Sequence, residues 1–95
     1  ENVCQVAEKN GIQKIVFTST VAIYGFAPLG TDESGAHAPF NDYGKSKLEA
    51  EGIYTAWQKR GPLQRSLVII RPTVVFGEGN RGNVYNLILN YYSLM

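Results

Sequence analysis

Ninety-five residues carry nine basic and eight acidic side chains, a net charge of +1, with 44% hydrophobic and 18% charged residues. That balance excludes a disordered tail and gives no electrostatic reason to expect nucleic acid or an anionic membrane surface as partner. Cys4 stands alone, so no disulfide forms within the chain, and no apolar run reaches membrane-spanning length; the expectation is a soluble, cytoplasmic protein without a secretory leader.

Residues 1–10 set Val3, Val6 and Ala7 on one helical face, and Asn10-Gly11 supplies a stop. A β-rich, nearly continuous apolar run begins at Ile15-Val16-Phe17 and reaches Ile23, which predicts a strand covered on both faces, as in a parallel sheet. Thr18-Ser19-Thr20 interrupts it with three hydroxyls. A loop over 25–39 follows, and then a long helix from about Asp42 to Arg60, capped by Asn41 or Asp42 and ended by Gly61-Pro62. Tyr43, Lys47, Ala50, Tyr54 and Trp57 share one stripe of it. Ser66 to Ile70 reads as a second apolar strand, broken by Arg71-Pro72. After the glycine-rich turn over 77–82, a last helix starts near Asn83 and is expected to bury Val84, Leu87, Ile88 and Tyr91.

Strand, helix, strand at these lengths is a βαβ unit with a right-handed crossover. The fold class is therefore α/β. Ligands of open parallel sheets bind at the carboxyl ends of the strands. The hydroxyl cluster, Arg71-Pro72-Thr73 and the first turn of the long helix all belong to that edge.

A tyrosine phenol ionises near pH 10 and is a poor base at neutrality, but a cation one helical turn away stabilises the phenolate. Tyr43 and Lys47 have that spacing. A hydroxyl from another element, Thr20 or Ser19, would orient a substrate alcohol and share its proton. Such a set suits removal of a proton from a secondary alcohol whose carbon gives up hydride. Taken singly, the residues have plainer readings. Lys47 and Glu51 form an i,i+4 pair on a solvated face, Tyr43 is a half-buried amphipathic contact, and Thr20 is a good β-former. Joint placement in one βαβ unit favours the chemical reading.

Three stretches in this order, "IVFTSTVAIYG", "YGKSKLEAE" and "IIRPTVVFGEGNRGN", resemble the extended short-chain dehydrogenase/reductases, in particular the NAD-dependent nucleotide-sugar epimerase/dehydratase group with its UDP-glucose 4-epimerase-like members. The resemblance covers almost the whole chain. It implies a Rossmann-type doubly wound parallel sheet, of which 1–95 is an internal segment: the first strands and most of the substrate lobe are missing, and the substrate-binding region starts at about 77–95. It further implies Tyr43 as catalytic base and Lys47 as the cation that favours its phenolate and holds the nicotinamide ribose. Thr20 would be the catalytic hydroxyl with Ser19 as its neighbour, and Pro72 and Thr73 would lie beside the nicotinamide carboxamide. Asn83 and Val84, with Arg81 nearby, would meet the sugar nucleotide at a helix N-terminus, a fitting place for a pyrophosphate. Arg81 reads equally well as a solvated loop arginine.

The group's Gly-x-x-Gly-x-x-Gly fingerprint is absent, and "GEGNRG" follows the wrong strand to replace it. The residue that selects NAD over NADP is absent too. Val21 and Ala22 stand where sugar dehydratases carry Asp-Glu, which argues against 4,6-dehydration. The implied activity is epimerisation of a nucleotide sugar by transient oxidation, with NAD as the expected cofactor and NADP open. A sugar-nucleotide reductase, a hydroxysteroid-type dehydrogenase and a non-catalytic cofactor-binding scaffold remain as alternatives. A homodimer through the first and second helices is expected, and the 95 residues alone are expected to be inactive.

Overall fold

The computed structural model describes residues 1–93. Helix α1 (Asn2–Lys9) leads into strand β1 (Lys14–Thr18), a 3-10 turn (Val21–Tyr24), helix α2 (Asp42–Lys59), strand β2 (Ser66–Ile70) and helix α3 (Asn83–Ser93). The two strands pair in parallel, with Lys14 opposite Ser66 and Thr18 opposite Ile70. A β-branched, apolar composition drives both into extended pairing, and α2 is the crossover between them.

Both strands alternate between half-buried and exposed residues. Ile15 and Leu67 pack on Cys4 and Ala7 of α1 and on Ile53, Tyr54 and the fully buried Trp57 of α2. The Phe17 and Tyr54 rings lie 4.6 Å apart between centroids. The other face, with Val16, Val68 and Ile70, is exposed. Cover on both faces, expected from the apolar run, is therefore not found, because α1 and α2 lie on one side and no described element lies on the other.

Strand β1 also stops short of Ile23. Thr20, in extended conformation, accepts the Ala22 N–H on its side-chain oxygen at 3.1 Å and so opens the 3-10 turn. Pairing persists beyond the strand end, because the Ser19 N–H donates to the Ile70 carbonyl (2.7 Å) and the Val21 N–H to that of Pro72 (3.2 Å).

In α1 the buried face is Cys4 and Ala7, while Val3 and Val6 are exposed. The expected face was rotated by about one residue relative to the one that meets Trp57. Helix α2 is capped as expected by Asn41, whose side-chain oxygen accepts the Gly44 N–H at 2.8 Å. Along its stripe burial grades from Trp57 (fully buried) through half-buried Tyr54, Ala50 and Lys47 to half-exposed Tyr43. At its far end Arg60 and Arg65 reach Glu8 of α1 at 2.8 and 3.4 Å. Helix α3 does not bury the expected side: Leu87, Ile88 and Tyr91 are exposed and Val84 is half-buried. An amphipathic stripe is buried only where another element meets it, and among the described residues none packs extensively on α3.

Candidate active site

The carboxyl end of the sheet is fastened to α2 through one buried acid. Glu51, eight residues after Tyr43, is 4% exposed. Its Oε2 accepts the Ser19 hydroxyl proton at 2.5 Å and the Arg71 Nε–H at 3.1 Å. Its Oε1 accepts from Arg71 Nη2 at 2.6 Å. The remaining Arg71 arm, Nη1, donates to the Tyr24 hydroxyl at 2.5 Å, and the guanidinium carbon lies 5.4 Å from the Tyr24 ring centroid. Four elements thus meet: the end of β1, the 3-10 turn, α2 and the residue after β2.

Burial alone would push the Glu51 carboxyl up. Hydrogen bonds from Arg71 and Ser19 and the adjacent Arg71 charge outweigh it, so the group is held below the usual glutamate range. The Glu51 hydrogen bonds correspondingly hold Arg71 above its ordinary value, against the effect of burial. A forked, two-point contact between guanidinium and carboxylate is directional as well as strong.

Lys47, one turn before Glu51, has a separate partner. Its Nζ donates to the Thr18 carbonyl at 3.1 Å and lies 5.9 Å from the Tyr43 ring centroid and 5.1 Å from that of Phe17. The plainer reading of Lys47 and Glu51 as a solvated pair is overturned: each reaches back to the sheet. An ammonium has three protons to donate, and the Thr18 carbonyl takes one of them. Tyr43 is half-exposed, and its hydroxyl has no hydrogen-bond partner among the described residues. Thr20 is buried, its oxygen accepting from Ala22.

Four of the expected residues thus gather at one edge: Thr20 and Ser19 at the end of β1, Tyr43 and Lys47 at the start of α2. They differ in availability. The Ser19 hydroxyl is committed to Glu51, whereas Tyr43 and Lys47 keep donor capacity. Pro72 lies beside Val21 through its carbonyl, and Thr73 follows it at the surface. Arg81 is exposed with its guanidinium 5.7 Å from the Tyr85 ring. Val84 is half-buried at the start of α3. Asn83 opens that helix, but its side chain lies outside the described set. No hydrogen bond among the described residues joins this second group to β1 or α2.

Glu51, Arg71 and Tyr24 were missed as a unit by sequence reasoning. The available signal was one acid on the flank of the α2 stripe and one base at the end of an apolar strand, each in a position where a lone charge must find a partner.

Known proteins share the fold. The family model described as the NAD dependent epimerase/dehydratase family matches residues 1–93. The N-acetyl-alpha-D-glucosaminyl-diphospho-ditrans,octacis-undecaprenol 4-epimerase of Escherichia coli O157:H7 is 56% identical over 87 residues, which is 92% of this chain and 26% of that protein. The UDP-glucose 4-epimerase of Vibrio cholerae is 35% identical over 92 residues, 92% of this chain and 27% of that protein. The solved UDP-Glc/GlcNAc 4-epimerase of Campylobacter jejuni superposes with a TM-score of 0.67 at 32% identity, covering 74% of this chain and 21% of that one. The chain therefore spans about a quarter of the length of the curated relatives it matches. It belongs to the NAD-dependent epimerase/dehydratase family, as a segment of that family's Rossmann-type fold.

Proposed function

We propose that the full-length protein inverts C4 of a sugar linked through a diphosphate, by transient oxidation at that carbon with Thr20, Tyr43 and Lys47 handling the proton. The observation that carries this reading is the pairing of Tyr43 and Lys47 on the first turns of α2 against the carboxyl end of β1, Lys47 being anchored there on Thr18. The resemblance to three 4-epimerases supports the choice of carbon.

The residues present suit a nicotinamide cofactor. Lys47 has protons left for ribose hydroxyls after its bond to Thr18, and Tyr43 and Thr73 are accessible at the same edge. Pro72 and Thr73 would flank the carboxamide. NAD, when bound, supplies the hydride acceptor for oxidation and the donor for its return. The protein's own groups handle the proton. Tyr43 takes it from the C4 hydroxyl, Thr20 bonds the same substrate oxygen and fixes its direction, and Lys47 stabilises the phenolate electrostatically. After the sugar turns, Tyr43 gives the proton back. Arg81 and the start of α3, with Asn83 and Val84, would receive the diphosphate. Self-association through α1 and α2 belongs to the same reading.

The carrier of the sugar is a nucleotide in this reading. A polyprenyl carrier is the second possibility, favoured by the 56% identity to an epimerase named for an undecaprenyl diphosphate sugar. The test is to incubate the full-length protein with NAD and with UDP-glucose, UDP-N-acetylglucosamine or a polyprenyl-diphospho-N-acetylglucosamine. The C4 epimer is expected without net NADH, and Tyr43→Phe should lower its formation about 100-fold or more. Steady NADH accumulation would replace the epimerase reading with a dehydrogenase, and an unaffected Tyr43→Phe would remove the proton-transfer role.

A further inference from the structure

Building on the epimerase reading above, we propose that Glu51 and Arg71 are positioning residues for Thr20: they clamp the residues on either side of it, Ser19 and Tyr24, to the helix that bears Tyr43. The Thr20 side chain has one hydrogen bond among the described residues, accepted from the Ala22 N–H two residues on. That bond shapes the 3-10 turn but does not set where the turn sits relative to α2. Its neighbours set that. Ser19 is fixed twice, by its N–H to Ile70 at 2.7 Å and by its hydroxyl to Glu51 at 2.5 Å. Tyr24, which ends the turn Thr20 opens, is held by Arg71. Both holds converge on Glu51, two turns along α2 from Tyr43.

The choice of residues points the same way. Joining a strand end to a helix needs no charge, and a well-packed apolar contact would avoid the desolvation that a buried ion pair suffers. What a forked arginine–carboxylate contact adds is direction. Proton sharing between Thr20 and Tyr43 over one substrate oxygen demands direction, since a misplacement of about 1 Å costs on the order of 100-fold in rate. Glu51 is 4% exposed and its carboxylate is taken up by Ser19 and Arg71, so its influence passes through Ser19, Arg71 and Tyr24.

The test uses the full-length epimerase with NAD and its sugar substrate, comparing Ser19→Ala, Thr20→Ala and the double variant in single-turnover experiments, with KM, cofactor affinity and thermal midpoint measured alongside. Ser19→Ala removes one hydrogen bond and leaves Thr20 in place. It should lower kcat about 10-fold while KM and cofactor affinity stay within about twofold. In the Thr20→Ala background the same change should have almost no further effect, because the group it positions is gone. Arg71→Lys keeps the charge, loses the fork, and should show the same pattern. A Ser19→Ala effect of equal size with and without Thr20, or a normal kcat, overturns the positioning role. If Thr20→Ala itself leaves epimerisation intact, the catalytic reading of Thr20 falls and the positioning role falls with it.

Discussion

Gly44, in the first turn of α2, backs directly onto the carbonyl oxygen of Ala22 in the 3-10 turn: a Cβ added at Gly44 would lie 2.9 Å from that oxygen and 2.9 Å from the Pro39 Cβ. Absence of a side chain between Tyr43 and Lys47 is what lets the helix start approach the segment that follows Thr20. Two effects oppose each other in Gly44→Ala. Helix propensity favours alanine by about 1 kcal/mol, and overpacking against backbone opposes it by about 1–3 kcal/mol. Neither neighbour is a flexible side-chain end, so the clash wins, and Gly44→Ala should lower stability by up to about 2 kcal/mol. Gly52, in the same helix, meets nothing within 4 Å. Gly52→Ala should raise stability by about 1 kcal/mol. Urea denaturation of the two variants checks both signs, and two changes of the same sign would remove the close-approach account.

Gly25 carries a stricter demand. Its φ of +63° and ψ of −134° lie outside the regions open to residues with a side chain. An added Cβ would also fall 2.0 Å from the Ala38 carbonyl oxygen. The neighbouring hydrogen bond from the Ala38 N–H to the Ile23 carbonyl, at 2.8 Å, holds the loop in that approach. Gly25→Ala should therefore destabilise by about 3 kcal/mol or more, strain and clash acting together. Thermal midpoints of Gly25→Ala and Gly30→Ala separate the two contributions. Gly30 shares a positive φ of +85° but has open space around it, so it should lose only the strain part, about 1 kcal/mol.

Much of this arrangement was legible in the sequence, for reasons that differ by element. Helix α2 was bounded to within one residue because its signals are local: Asn41 caps it and Gly61-Pro62 follows it. Both strands and their order followed from β-branched runs separated by a helix. What failed was whatever depends on a partner. The stripe of α3 and the second face of the sheet are apolar but meet no other described element, so periodicity foretold burial that is not there. The end of β1 was misread because Thr20 trades strand pairing for a cap, a competition that short hydroxyl side chains often win. Tyr43, Lys47, Thr20 and Ser19 were named as candidates from spacing and resemblance. Glu51 and Arg71, 20 residues apart in the chain, become partners only once β2 lies beside β1.

Trp57 offers a contest between cavity and orphaned polar group. It is fully buried, and its indole Nε1 has no hydrogen-bond partner among the described residues. An unpaired buried N–H costs about 1–3 kcal/mol. Trp57→Phe removes that penalty while deleting part of the ring volume, which costs a similar amount in a core that cannot fully collapse. The two should nearly cancel, leaving a change of about 1 kcal/mol or less. Trp57→Ala empties the site between α1 and β1 and removes the surface under the Arg65 guanidinium, 5.1 Å from the ring. It should cost about 3–5 kcal/mol. Chemical denaturation of both variants decides: a Phe variant as damaged as the Ala variant would show that the indole N–H is satisfied in solution.

Acid sensitivity should trace to Glu51. Its carboxyl is pushed up by burial and held down more strongly by hydrogen bonds from Arg71 and Ser19, by the Arg71 charge and by His37. The net direction is down, so the folded value lies below that of the unfolded chain, about 4.3. A group depressed on folding contributes stability that is fully present above its unfolded value and is lost as pH falls through its folded value. At pH 7 Glu51→Gln leaves the Arg71 guanidinium without its charge partner and should cost about 2–3 kcal/mol. As pH falls below the ordinary glutamate value of about 4.3 the unfolded chain takes up the proton first, and the advantage fades until the folded carboxyl, held lower, is protonated as well. The stability difference between wild type and Glu51→Gln should accordingly be widest near neutrality and shrink steadily below pH 4. Glu8 and Asp32 are also held low by their hydrogen-bond partners, but both are exposed and titrate alike in the two proteins, so they cancel in the comparison. Denaturation midpoints measured for both proteins at pH 7, 5, 4 and 3 report the difference directly. A gap that stays constant across that range would mean that Glu51 is not an ionised partner of Arg71, and the fastening of α2 to the strand ends would then rest on neutral hydrogen bonds alone.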